Sequence, residues 1–310
     1  MSARLAIDFG GTRSRAALYD DQLQLLRRAE TLSRVGDGPA VVFERLIALG
    51  KSLTDVAGEP ASIGIAAPGP LDTAAGLIIK AKTLPGWSKA PIARVLSRAF
   101  GGVPAFVEND ANLGAIAEYH RGAGQGADPM LYLTISTGIG GGAIINGELF
   151  TGGGGLAIEP GHMRLTLPDG SVRRLEELAS GTALGEWARQ RLQTSAAPST
   201  LRGLDLIDGQ AVGEAAATGD KLAGQVVAQA GEWLGLGLVN LMHLFNPAAI
   251  VLGGSATKLG DLLLTPARQV MREHALYEGF LPRDLLRRAS LGDDSCLLGA
   301  AIHARRQMDI

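Results

Sequence analysis

Two glycine-rich stretches, each set between apolar segments, are the first places in this 310-residue chain where chemistry could be done. Gly10-Gly11-Thr12 follows the apolar run at 5–9, and Gly138-Ile139-Gly140-Gly141-Gly142 follows the run at 131–135. Glycine lets a backbone approach a ligand closely and aim several N–H groups at one anion. A dinucleotide fingerprint must open a helix, whereas an apolar strand and a hairpin follow the second stretch. The chain also has no P-loop of the Gly-x-x-x-x-Gly-Lys-Ser/Thr type. What is left is a β-hairpin whose turn amides line a phosphate, with hydroxyl donors from Thr12 and Thr137 and a fixed positive charge from Arg13. A plain hairpin turn is the alternative for either stretch alone.

Asp8 closes the first strand against its glycine turn. A carboxylate beside phosphate-binding amides calls for a cation between them, and Mg2+ held largely through water suits that place. The alternative is a turn-capping Asp. Glu108-Asn109-Asp110-Ala111-Asn112 puts polar residues directly after an apolar run and at the start of a helix. Asp110 there is either a simple cap or a general base that takes a proton from a sugar hydroxyl during phosphoryl transfer.

The elements that must hold these groups are legible in outline. Strands are expected at 5–9, 16–19, 62–67, 104–107, 131–135, 143–145, 148–150 and 249–252. The glycine turn is expected over 138–142, and Asn146-Gly147 is a hairpin signal. Residues 38–57 follow a helical rhythm through Val42, Leu46, Leu49, Leu53 and Val56. Shorter helices are expected at 92–100, 111–119 and 296–306. The longest spans 220–245, with Leu222, Val226, Ala230, Leu234, Leu238, Leu241 and Phe245 on one stripe before Asn246-Pro247 ends it. The order strand, glycine turn, strand occurs at 5–19 and again at 131–145. Such a duplication implies two similar α/β halves, with ligands outside the strand ends in the cleft between them.

Composition removes several classes of function. With 29 Lys+Arg against 31 Asp+Glu, the chain lacks the basic excess of a nucleic-acid binder, so no nucleic-acid partner is expected. Its single cysteine, Cys296, excludes a disulfide framework and a thiolate zinc cage. The longest apolar stretch, 233–245, carries Asn240 and His243 and is shorter than the roughly 20 residues of a membrane helix. No targeting segment opens the chain, so a cytoplasmic protein without membrane partners is expected.

DFGGTR at 8–13, AAPGP at 66–70, ENDAN at 108–112, STGIGGG at 136–142, EPGH at 159–162, LEELASG at 175–181 and IVLGGS at 250–255 run in the order of the ROK family. The chain resembles that family of bacterial sugar kinases and sugar-responsive repressors over nearly its whole length. LYLTISTGIGGG and FVENDAN look most like its ATP-dependent glucokinases. The resemblance implies an α/β, actin/hexokinase-like (ribonuclease H-like) duplicated fold. Its first lobe would be 1–121, with the helix at 296–310 packed back on it, and its second lobe 122–295. It implies ATP and Mg2+ as cofactors, with Mg2+ at Asp8, and a hexose as the small-molecule substrate. Glucose at its 6-hydroxyl is the first expectation, an N-acetylhexosamine or another hexose the alternative, and a homodimer the expected assembly. Asp110 looks like the catalytic base. Gly69, Asn109, Glu159, His162 and Glu176 match sugar-binding positions. Asp8, Gly10, Gly11, Thr12, Arg13, Thr137 and Gly138 match the two phosphate loops, and Gly253 and Gly254 the adenosine loop.

The chain departs from the family pattern in three places. Many members carry a CxCGxxGC zinc loop, but here 167–174 reads LPDGSVRR, so His162 has no thiolate partners and no structural zinc is expected. Thr83 stands in the sugar site where hexose kinases of the family usually have Asn. Arg13 replaces the usual Lys and keeps its charge. Family repressors place a helix-turn-helix before the first phosphate loop, whereas only seven residues precede Asp8 here. A non-catalytic sugar-binding protein is a further alternative, against which Asp110 argues.

Overall fold

The structure, a computed structural model, describes residues 3–54, 58–80, 84 and 87–309. It divides into two compact units, Met1–Gly122 with Leu149–Ala157 and Leu291–Ile310, and Ala123–Glu148 with Ile158–Ser290. In chain order the first elements are β1 (Arg4–Phe9), β2 (Arg13–Tyr19), β3 (Leu25–Leu32), α1 (Pro39–Thr54) and β4 (Ser62–Ala67). Next come β5 (Leu71–Asp72), β6 (Leu77–Ile78), α2 (Ile92–Ala99), β7 (Ala105–Asn109) and α3 (Asp110–Arg121). After them stand β8 (Met130–Ile135), β9 (Ile139–Ile145), β10 (Glu148–Leu149), β11 (Arg164–Thr166) and β12 (Val172–Arg174). Four helices follow, α4 (Leu175–Ala179), α5 (Gly181–Thr194), α6 (Gly209–Ala217) and α7 (Lys221–Phe245). The chain ends through β13 (Ala249–Gly253), α8 (Asp261–His274), β14 (Leu286–Arg288) and α9 (Ser295–Met308).

The sheet of the first unit runs β3-β2-β1-β4-β7. β1 to β3 are antiparallel, and β1, β4 and β7 are parallel. Strand alternation sorts its residues by size. Leu5, Ile7, Phe9, Leu18, Ile63 and Ile65 share a core with Val42, Leu46, Leu49 and Leu53 of α1 and Ile92 and Leu96 of α2. The helical rhythm expected of 38–57 therefore faces this core; Val56 lies outside the described residues. On the other face Ala6, Ala17 and Gly64 are register neighbours. A Cβ on Gly64 would run into the carbonyl of Ala300, so glycine lets α9 lie directly on the sheet.

The second unit repeats that order as β10-β9-β8-β13-β14. β8 and β9 are antiparallel, while β8, β13 and β14 are parallel. α7 crosses its core, with Val226, Ala230, Leu234 and Leu238 buried. Asp220 caps the helix start by accepting the Ala223 N–H at 3.0 Å, and Asn246 ends it with φ 43°. A hairpin plus parallel strands, built twice, is the actin/hexokinase-like fold.

Three expectations change. Gly140, Gly141 and Gly142 are not turn residues: they lie in β9 opposite Thr134, Leu133 and Tyr132, and the turn is 136–138. A Cβ on Gly141 would stand 2.7 Å from Pro160 Cγ, so Gly141 admits the 160–162 turn against the strand. β3 carries no apolar alternation and was not expected; it is an exposed edge held by backbone pairing, with Arg27, Arg28 and Glu30 along it. The segment Leu149–Ala157, expected in the second lobe, clusters with the first unit, where Gly155 lies near Thr73. No helix among the described residues is long and apolar enough to cross a membrane.

Candidate active site

In the first unit the strand ends gather the acidic and amide groups. Register places Asp8 beside Ala66 and Ala66 beside Glu108, so both carboxylates point to the α9 face, two strand spacings or about 10 Å apart. Asp8 is held by Arg15, whose Nε and Nη2 donate to Oδ2 at 3.0 and 2.5 Å, while Nη1 donates to the Asp293 carbonyl at 2.7 Å. Burial pushes the Asp8 carboxyl above its ordinary value, against the opposing pull of Arg15. The glycine turn is fixed from outside: Ser33 donates its hydroxyl to the Gly10 carbonyl at 2.6 Å and its N–H to the Thr12 carbonyl at 2.9 Å. Gly10 and Gly11 are half-buried, and Thr12 and Arg13 are exposed. Arg13 pairs with Glu30 at 3.3 Å.

β7 hands its last residues to α3. Asn109 caps that helix by accepting the Ala111 N–H on Oδ1 at 2.9 Å. Its Nδ2 faces Gly69, where a Cβ would stand 3.3 Å away. Asp110 is the first helical residue and is exposed; its Oδ1 also accepts from Ala111 at 2.8 Å. Behind it Glu108 is buried and accepts from the Asn109 N–H at 2.7 Å and from Asn112 Nδ2 at 3.0 Å. Burial pushes its carboxyl up, and those bonds oppose the rise. Cys296 of α9 reaches the Asp110 carbonyl at 3.6 Å. Burial, followed by the charges of Asp8 and Asp110, pushes its thiol up, which marks the three residues as neighbours. Thr83 lies outside the described residues.

In the second unit the turn 136–138 is tied to the start of α5. The Ser136 N–H donates to the Gly138 carbonyl at 2.9 Å, the Gly181 N–H to the Ser136 carbonyl at 2.7 Å, and the Thr182 hydroxyl to the Thr137 carbonyl at 2.7 Å. Glu176 reaches this turn, since a Cβ on Gly138 would stand 3.3 Å from its Oε2. Glu159 precedes the turn 160–162 and His162 ends it, with Oε2 and Nδ1 3.8 Å apart. Desolvation pushes the Glu159 carboxyl up; His162 opposes this and the charge of Glu176 adds to it. Gly253 ends β13 against Tyr132, and Gly254 follows it against the Ile135 carbonyl.

Beside that turn lies a cavity of about 780 Å3, within the range of small-molecule sites. Ser136 and Thr137 line it, together with the first residues of α5 (Gly181, Thr182) and α6 (Gly209, Gln210). Two helix N-termini turn their positive dipole ends towards it, which suits an anionic ligand. Ser255 and Lys258, just beyond Gly254, complete one side. Sequence reasoning missed Thr182, Gln210 and Lys258, because three separate segments supply them and no spacing in the chain links them. It also missed Arg15. The available signal was strand alternation, which puts Arg15 on the same face as Arg13 and, across a tight hairpin, opposite Asp8.

The donor set suits a hydrated cation at Asp8. Both Arg15 bonds fall on Oδ2, and a single carboxylate at a strand end is what Mg2+ needs when waters and phosphates supply its other ligands. Among the described residues no group of three or more His, Cys, Asp or Glu gathers into a metal cage.

A family model described as the ROK family matches residues 4–307. A glucokinase of Streptomyces coelicolor is 32% identical, with 98% of each chain covered. An N-acetylmannosamine kinase of Salmonella paratyphi A is 31% identical over 97% of this chain and 98% of its own. Among solved structures, a ROK family glucokinase from Streptomyces griseus in complex with glucose and AMPPNP superposes with a TM-score of 0.80. It is 30% identical and covered over 98% of this chain and 100% of its own.

Proposed function

The chain belongs to the ROK family, and from that premise we propose that it is an ATP-dependent sugar kinase acting on the 6-hydroxyl of glucose. The observation that carries the reading is the β7–α3 junction. Asn109 spends its oxygen on the helix cap, which leaves its amide towards Gly69, and the exposed Asp110 carboxylate follows at once. An amide that can bind a hydroxyl therefore stands next to a base that can deprotonate one.

In this reading Asn109, the Gly69 backbone, Glu159, His162 and Glu176 each contribute contacts to sugar hydroxyls that orient the acceptor. Asp110 accepts the proton of the 6-hydroxyl as its oxygen bonds the γ-phosphorus; the bond from the γ-phosphorus to the bridging oxygen breaks, and ADP leaves. The N–H groups around Gly10–Thr12, with Arg13, and around Thr137–Gly138 hold the phosphates, and the cavity at the α5 and α6 N-termini takes the nucleoside next to Gly253 and Gly254. Asp8 would hold Mg2+ through water. When bound, that ion spreads the charge of the transferring phosphoryl.

The S. coelicolor and S. griseus proteins support glucose as acceptor, and the Salmonella protein keeps N-acetylmannosamine as a second reading. Coupled ADP-release kinetics over glucose, mannose, N-acetylglucosamine and N-acetylmannosamine tests it. The expected result is the highest kcat/KM on glucose. A higher value on an N-acetylhexosamine would overturn the acceptor and keep the kinase, and no ADP release with any of them would overturn both. The proposal includes a cytoplasmic homodimer, whose mass light scattering after size exclusion would check.

A further inference from the structure

Aligning 167–174 on CxCGxxGC puts Leu167, Asp169 and Arg174 at cysteine positions. These side chains do not fit zinc. Leu167 packs on the hydrophobic core. Asp169 Oδ1 accepts the Ser171 N–H at 2.9 Å and the Ser171 hydroxyl at 2.7 Å. Arg174 carries a permanent positive charge and no lone pair to offer. The segment is instead the hairpin β11–β12, closed by the Leu167 N–H on the Ser171 carbonyl at 2.8 Å.

Arg174 ends that hairpin and opens α4. Its Nη1 lies 2.6 Å from Glu176 Oε1 and its Nη2 3.0 Å from Glu177 Oε1. Glu177 returns the contact, since its Oε2 accepts the Arg174 N–H at 2.8 Å, a capping arrangement that fixes the arginine's own backbone. Glu176 thus has one oxygen tied to Arg174 while the other, Oε2, faces the turn at Gly138. The charge of Glu176 also helps push the Glu159 carboxyl up, after burial.

We propose that Arg174 is a positioning residue for the sugar site: its guanidinium fork clamps Glu176 Oε1 so that Oε2 is presented to a sugar hydroxyl. An ion-paired clasp built on Glu177 stands where other members of the family place a metal loop. The inference rests on the reading of Glu176 as a sugar ligand. An unclamped glutamate has rotamer entropy to lose on binding.

Four variants of the full chain test the clasp: Arg174→Ala, Arg174→Lys, Glu177→Gln and, as reference, Glu176→Gln. With glucose and ATP as probes, Arg174→Ala should raise the KM for glucose about tenfold, the effect of losing one charge-assisted bond. The KM for ATP should stay within about twofold. Arg174→Lys should recover part of the loss, because one ammonium can reach one carboxylate but not fork across two. Glu177→Gln should give a smaller rise than Arg174→Ala. If Glu176→Gln raises the glucose KM and Arg174→Ala does not, the clasp is wrong and the sugar site stands. An unchanged glucose KM in Glu176→Gln overturns the sugar-site reading itself. Equal rises in both KM values with a lowered melting temperature, unrelieved in Arg174→Lys, would mean a structural role and overturn the proposal.

Discussion

Asp110→Asn separates catalysis from folding. Asparagine has the same size, and its oxygen can still accept the Ala111 N–H that Asp110 Oδ1 accepts at 2.8 Å. The Asn109 cap at 2.9 Å is untouched. What the helix loses is a negative charge in its first turn, worth about 0.3–1 kcal/mol. A general base contributes a factor on the order of 10²–10⁴ in rate, which is about 3–5 kcal/mol of barrier. The variant should therefore unfold in urea within about 1 kcal/mol of the parent. Its kcat, followed by coupled ADP release, should fall by a factor on the order of 10²–10⁴. Glucose binding by calorimetry should change little, because Asn109, Glu159 and Glu176 are intact. A folded variant with kcat within about tenfold of the parent would refute the base. A loss of binding as large as the loss of rate would make Asp110 a ligand only.

Asp8→Asn removes the carboxylate that Arg15 holds and that suits hydrated Mg2+. The Mg2+ concentration for half-maximal rate should rise about tenfold or more, and Mn2+ binding by electron spin resonance in the presence of ADP should weaken in step; an unchanged Mg2+ titration would remove Asp8 from the metal site. Gly254→Ala should cost about 1–3 kcal/mol, because φ there is 88° and the new Cβ would run into the Ile135 carbonyl. Its KM for ATP should rise, and a variant matching the parent in both urea midpoint and ATP saturation would contradict that geometry. His303 on α9 has its pKa lowered to about 4 by burial and by Arg306. The unfolded chain takes up that proton near 6.5 and the folded chain does not, so stability should fall as the pH drops from about 6.5 to 4, by up to about 3 kcal/mol. His303→Gln should flatten that part of the curve in urea titrations, and a slope equal to the parent's would show that another group drives it.

Local pattern alone determined much of this protein. The stripes of α1 and α7 are readable because a helix repeats its buried face every three to four residues, whatever it packs against. The two strand–turn–strand units are equally legible, because apolar runs broken by glycine within fifteen residues need no distant partner to be recognised. ENDAN showed itself in the same way, as polar residues at a strand-to-helix junction. Tertiary structure decided the rest. β3 has no periodicity to read, since an edge strand is held by backbone bonds and buries little. The run Gly140–Gly142 looks like a turn in sequence and is a strand paired with β8, and Pro160, nineteen residues on, packs where a Gly141 side chain would be. The cavity at the starts of α5 and α6 joins residues of separate segments, Ser136 and Thr137, Thr182, Gln210 and Lys258, through packing. Such contacts carry no sequence period, because they are set by where the elements dock and not by how each one forms.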